Sequence, residues 1–287
     1  AGKPFFREIE FRIIPDPAVR VMSLLRGDTD IIAHHGGVPV SYVPMLKGKP
    51  EIVVESRDVA ITHYLMFNCR RAPFARSECR DAFDRMMDRT GLASLILRGA
   101  GTAARDFLIA SAQRWDRARF SVSPQADVKA CRTEAPLVLL VNQSDMTTWG
   151  YRYVADYLAD YHGRLGVPIR IESLESGAWQ KAIQSGQYDL TLYPLSMPTG
   201  TPELMIRRMA FSKGMQVRGI GNSTGYSSEA VDELFEQAVN APDIGTHEAR
   251  FNSLLDILAR EKPFIPLYHE RHYYAYRRGL TGVRVDP

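Results

Sequence analysis

The chain has 287 residues, of which 45% are hydrophobic and 24% charged, with a net charge of +3 and Lys and Arg scattered among Asp and Glu. These proportions describe a folded globule with room for one or two domains and exclude a disordered or fibrous chain. No apolar run approaches the ~20 residues that span a bilayer, and the pairs Arg70-Arg71, Arg207-Arg208 and Arg277-Arg278 are too short for a nucleic-acid stripe and read as solvated faces.

In chain order, EIEFRII (residues 8–14) alternates and is rich in aromatic and branched residues, which predicts a strand broken by Pro15-Asp16-Pro17. A short helix over 19–26 ends at Gly27, DTDIIA follows as a strand, SYVPMLKG as a helical turn, and EIVVES as a third strand. Such βαβ alternation marks an α/β sheet. ITHYLMFN (residues 61–68) is nearly all apolar and reads as a strand buried on both sides. The spacing then predicts one long helix over 77–98, ended by Gly99 and Gly101, while residues 102–135 show no period that places them. The alternation resumes with LVLLVNQ, a helix over 151–165, IRIESL, a helix over 178–185 and YDLTLYPL, followed by the loop SMPTGTPE.

The last section reads as a turn, two helices and a closing strand. Val231, Leu234, Phe235, Ala238 and Val239 share one helical face behind an N-cap at Ser227 or Ser228, and Phe251, Leu254, Leu255 and Leu258 repeat the pattern up to Pro263. Three cysteines, Cys69, Cys79 and Cys131, cannot all pair; a Cys69–Cys79 bridge and buried free thiols both fit, and their separations are not those of zinc-ligand pairs.

Four segments in this order resemble the peptide/nickel family of extracytoplasmic solute-binding proteins that serve ABC importers (bacterial family 5): GKPFFREIEFRIIPDPAVRVMSLLRGDTDI, HYLMFNCRRAPFARSECRDAFDRMMDR, IESLESGAWQKAIQSGQYDLTLYPL, and the GNSTGYSSEAVDELFEQAVNAPD stretch that runs on to Arg278. The resemblance implies an α/β, periplasmic-binding-protein-like, two-lobed fold. The chain looks like a C-terminal portion of it: 1–64 with 272–287 form part of the first lobe, and 65–271 a nearly complete second lobe. It implies solute capture by hinge closure outside the cytoplasmic membrane, a peptide-like or other small polar solute, ABC permease subunits as partners, a monomer, no cofactor, no resident metal and no catalysis. A chain with half the clamp is expected to bind its solute weakly. The alternatives are a nickel or metal-chelate binder of the same family and a signalling or interaction module derived from it.

The same resemblance places a ligand loop at 196–203. There peptide-binding members carry an acid for the peptide amine, whereas that position falls near Pro198 or Thr199 here. Where dipeptide binders clamp the carboxylate with Arg, the match places Asp145, whose carboxylate cannot replace a guanidinium's paired donors. The histidine of nickel-binding members has no counterpart in MAFSKGMQVRGIG, and His34-His35 reads as polar loop rather than as a metal pair.

Candidate ligand contacts are Asp145, Trp149, Tyr193, Ser196, Met197, Thr199, Asn222, Ser223 and Tyr226. Asp145 and Trp149 fit equally a helix cap and a packed indole, because the strand-to-helix loop that carries them is also where open α/β sheets bind ligands. Trp179, at core spacing with Ile183, reads as structural, as do Tyr64, Asn68 and the aromatic series Tyr268, Tyr273, Tyr274 and Tyr276. Nothing marks an enzyme: HERH (269–272) lacks HExxH spacing, and no GxSxG, GxxxxGK[ST] or CxxC occurs. NQS and NST match glycosylation acceptors only formally.

Overall fold

The computed structural model describes residues 6–33, 37–108, 118–125, 129, 133–197, 201–213 and 222–284. His34, His35, Cys131 and Thr199 lie outside the described residues. The chain falls into two units, a smaller one formed by Ala1–Arg57 with His272–Asp286 and a larger one formed by Asp58–Arg271 with Pro287.

In the smaller unit, Asp16 caps α1 (Pro17–Arg26) by accepting from the Val19 amide at 2.8 Å, and Pro17 occupies a position whose missing N–H costs nothing. Gly27, at φ +86°, closes the helix in the left-handed region. A short β1 (Ile31–Ile32) pairs antiparallel with residues 275–276, and a 3-10 turn (Val40–Tyr42) leads into α2 (Val43–Lys47). Val21, Leu24, Ile32, Leu46, Ile52 and Ala275 make the core of this unit. The alternation in residues 8–14 does not produce a strand: Ile9, Phe11 and Ile13 are 69%, 90% and 93% exposed, and this segment has no ladder partner among the described residues. A strand's alternation is realised only when a second strand takes up its backbone groups.

Two long strands, β2 (Ile52–Phe67) and β7 (Phe264–Arg277), run through both units; the segments EIVVES and ITHYLMFN are one continuous strand. In the larger unit β2 lies between β7 and β6 (Leu190–Ser196), then come β4 (Leu137–Asn142) and β5 (Ile169–Leu174), while the short β3 (Gly101–Ala103) pairs with β7. The β4–β5 and β4–β6 pairs are parallel, so the carboxyl ends of these three strands lie on one edge; β2 runs antiparallel to β6 with Tyr64 opposite Tyr193.

The helix expected over 77–98 is broken. α3 (Ser77–Met86) stops at Met87, whose backbone is extended, and Asp88 caps a new start by accepting from the Gly91 amide at 2.7 Å. α4 (Arg89–Gly91) then continues as a π-helical turn (Leu92–Leu97) that ends with Arg98 at φ +48°. Arg89 explains the break: fully buried, it donates to the Pro266 carbonyl at 2.7 Å and to the Asp84 carboxylate, tying this corner to β7.

Beyond β4 come α5 (Gln143–Thr148), α6 (Tyr151–Arg164), α7 (Ser176–Gln184) and α8 (Glu203–Met209), of which α5 and α8 carry too few apolar repeats to show in the sequence. α9 (Glu229–Val239) and α10 (Ile244–Glu261) pack on each other through Val231, Phe235, Phe251, Leu254, Leu255 and Leu258. Val239 is 37% exposed and stands outside this face, because the helix ends there. Cys69 and Cys79 form no disulfide with each other, and burial pushes the Cys69 thiol up to about 11.

Candidate functional site

The larger unit contains a cavity of about 230 Å³. One of its walls is α7, which contributes Ser176, Trp179, Gln180, Ile183 and Gln184. Facing it are Tyr193 from β6, Arg208 from α8, the turn residues Asn222 and Ser223, and Arg70 just beyond β2, with Asn142 at the carboxyl end of β4. The parallel β4–β5–β6 arrangement brings Asn142 and Ser176 together: the Ser176 hydroxyl donates to Asn142 Oδ1 at 3.1 Å, and the Ser144 amide donates to the same oxygen at 3.1 Å. Such strand-end crevices are where open α/β sheets take ligands.

The aromatic wall is held at two ends. Trp179 donates its indole N–H to Thr191 Oγ1 at 3.3 Å, and its ring lies parallel to Tyr193, with centroids 6.3 Å apart and planes 10° apart. Arg208 donates to the Tyr193 hydroxyl at 2.6 Å. Arg70 lies over Gly225, whose φ of +68° favours glycine; a Cβ there would stand 2.2 Å from Arg70 Nε.

The turn is built by internal hydrogen bonds. Asn222, at φ +26°, donates to the Tyr226 carbonyl, Thr224 donates to the Met209 carbonyl at 2.6 Å, and the Cys69 amide donates to the Thr224 carbonyl at 2.8 Å. Tyr188 donates to the Ser223 carbonyl. Asn222 is therefore both buried scaffold and cavity wall.

Of the expected contacts, Tyr193, Asn222 and Ser223 line the cavity; Asp145, Trp149, Ser196, Met197 and Tyr226 do not. Asp145 sits half-buried in α5, where burial raises its carboxyl pKa against hydrogen bonds from Ser144 and Trp149. Trp149 packs on the main core, edge-on to His63. Ser196 is exposed at the end of β6, Met197 is buried with its amide on the Ala60 carbonyl at 2.7 Å, and Tyr226 donates to Glu261 at 2.6 Å. Sequence reasoning assigned Trp179 a structural place, which its packing against Leu140, Ile183 and Tyr188 supports while it also lines the cavity, and assigned Arg70 and Arg208 no site role. The Arg pairs read as solvated, yet Arg208 is half-buried against Tyr193; only its place beside the ligand loop, one turn into a helix too short to show periodicity, could have flagged it.

A second polar cluster lies in the same unit. His63 bonds the Tyr151 hydroxyl through Nδ1 at 2.8 Å, stacks on Tyr268 at 4.2 Å, and has Glu270 3.6 Å from Nε2. Burial, then the neighbouring Tyr268, Asp145 and Glu270, raise the Tyr151 hydroxyl pKa well above its ordinary value. His269 bonds Thr62 Oγ1 at 2.9 Å. Among the described residues no three His, Cys, Asp or Glu side chains form a group that could hold a metal, and no helix is long and apolar enough to cross a membrane. Among the described residues, the cavity lining offers the serine hydroxyls of Ser176 and Ser223 and no His, Asp or Glu.

Comparison with known proteins bears on this geometry. The family model described as "Bacterial extracellular solute-binding proteins, family 5 Middle" matches residues 1–216. The chain is 23% identical to the probable D,D-dipeptide-binding periplasmic protein DdpA of Escherichia coli (strain K12), over 100% of this chain and 55% of that protein. It is 21% identical to Di/tripeptide-binding protein 1 of Pseudomonas aeruginosa, over 96% and 52%. Among solved structures, NikA from Brucella suis in complex with Fe(III)-EDTA superposes with a TM-score of 0.79 at 16% identity, covering 100% of this chain and 60% of that one. HbpA2 from Haemophilus parasuis gives 0.79 at 16% identity, covering 93% and 53%. The chain thus spans about half the length of the curated relatives it matches.

Proposed function

This chain belongs to the bacterial extracellular solute-binding proteins of family 5, and on that premise we propose that it captures a small solute for an ABC importer outside the cytoplasmic membrane and catalyses no reaction. The observation that carries the reading is the cavity against α7, where a fixed aromatic wall meets the donors of Arg208 and Asn142 at the strand-end edge of a parallel sheet. Ligand sites combine apolar walls with a few placed polar groups in this way. Drug-sized ligands occupy pockets of roughly 300–1,000 Å³, so about 230 Å³ suits a compact solute rather than an extended oligopeptide. The liganded protein would present its cargo to the permease subunits as a monomer. The relatives named for dipeptides and tripeptides, and the neighbour crystallised with a metal chelate, support solute binding as the common activity.

Native mass spectrometry of the protein at the full length its cells make, purified from those cells, tests this directly. One small molecule retained per chain, with occupancy lowered in Trp179→Ala, is the expected result. A ligand-free protein that also gives no thermal shift with organic acids, amino acids, dipeptides or metal chelates would refute it.

A further inference from the structure

We propose that the α7 cavity takes an anionic solute, a compact molecule carrying a carboxylate or phosphate next to a flat ring; this rests on the reading of the cavity as the solute site. Among the described residues the lining contains two guanidiniums, Arg70 and Arg208, and no Asp or Glu. Neither arginine has a carboxylate partner among the described residues: Arg70 reaches the Gln184 carbonyl at 3.4 Å, and Arg208 the Tyr193 hydroxyl at 2.6 Å. A guanidinium is permanently charged and carries five N–H donors, so each keeps donors for a ligand.

The remaining polar groups lean the same way. Tyr193 accepts from Arg208 and so retains its own O–H to donate. Asn142 accepts from Ser144 and Ser176 through its oxygen, so its side-chain N–H groups are its donors for a ligand. A wall rich in donors and without a carboxylate favours oxyanions, to which Arg can bond in pairs. It offers nothing charged to a peptide's ammonium group. The parallel Trp179 and Tyr193 rings supply the flat apolar surface, and Tyr193 joins both features because it carries the stack and touches Arg208.

The test uses phenylacetate, phenyl phosphate and the neutral phenylacetamide as probes, read by NMR at the Trp179 indole N–H of the intact chain. The two anions distinguish a carboxylate from a phosphate preference. At least one anion is expected to bind 10-fold or more tightly than the amide. That preference should fall at least 10-fold in Arg208→Met and by a smaller factor in Arg70→Met, whose side chain is exposed. Phenylacetamide binding as tightly as both anions, or an anion preference that survives both substitutions, would overturn the anionic class while leaving the cavity a solute site. No shift of the indole signal with any probe at about 10 mM, a concentration that would populate a site with a Kd of about 10 mM to half, would overturn the site reading together with the inference.

Discussion

His162 makes the stability of this protein depend on pH in a window that can be worked out. It lies in α6 with no exposed surface, its ring stacked on Phe83 at 4.3 Å with planes 8° apart. Nδ1 is 2.9 Å from the Leu158 carbonyl, which only accepts, so in the neutral ring Nδ1 carries the hydrogen; Nε2 is buried with no hydrogen-bond partner among the described residues. A second proton would have to sit on that nitrogen, away from water. Burial accordingly lowers the pKa from 6.5 to about 4, against the smaller opposing effect of the Leu158 bond. Between these values the unfolded chain binds a proton that the folded chain does not, so stability is full above about pH 6.5 and falls as pH falls, levelling off below about 4. With 1.36 kcal/mol per pKa unit, the whole loss is about 3 kcal/mol, of which about 2 kcal/mol is lost between pH 7 and pH 5. His162→Phe keeps a ring against Phe83 and removes the titration, while the Leu158 carbonyl retains its helical N–H partner. Urea unfolding of both proteins at pH 7, 6 and 5 should show their stability difference shifting by about 2 kcal/mol in favour of Phe. Parallel pH profiles, or a ring titration by NMR with a midpoint near 6.5, would refute the argument.

Two further outcomes test the packing. Arg89→Met strips donors from the Pro266 and Ser121 carbonyls and leaves Asp84 with Lys262 alone, 2.8 Å away, so a loss of about 3 kcal/mol is expected; adding Asp84→Leu should cost less than the sum of the single changes by more than about 0.5 kcal/mol, and strict additivity would show that the pair is not coupled. Leu255→Ala, in the core between α9 and α10, should destabilise by about 2–5 kcal/mol, whereas Leu204→Ala at a 38% exposed position should stay within about 0.5 kcal/mol; equal effects would deny that Leu255 is core.

What could be read along the chain was whatever depends on near neighbours. β4, β5, β6, α6, α7, α9 and α10 follow from period and caps that act over a few residues, and Ser228, Gly27 and Pro17 mark ends by local geometry. The family, too, was legible, because four such local words keep their order. Residues 8–14 and 77–98 misled for opposite reasons: the first has a strand's alternation without a ladder partner among the described residues, and the second a helix's period interrupted where the buried Arg89 turns to the Pro266 carbonyl of β7 and the Asp84 carboxylate. The site belongs to the tertiary structure. Arg70, Trp179, Tyr193 and Arg208 come from a turn and three separate elements, and only sheet order and the Asn222 turn place them around one cavity. Local pattern decides what a segment becomes, since backbone and capping forces are short-ranged; which side chains share a pocket is decided by packing between segments that are far apart in the chain.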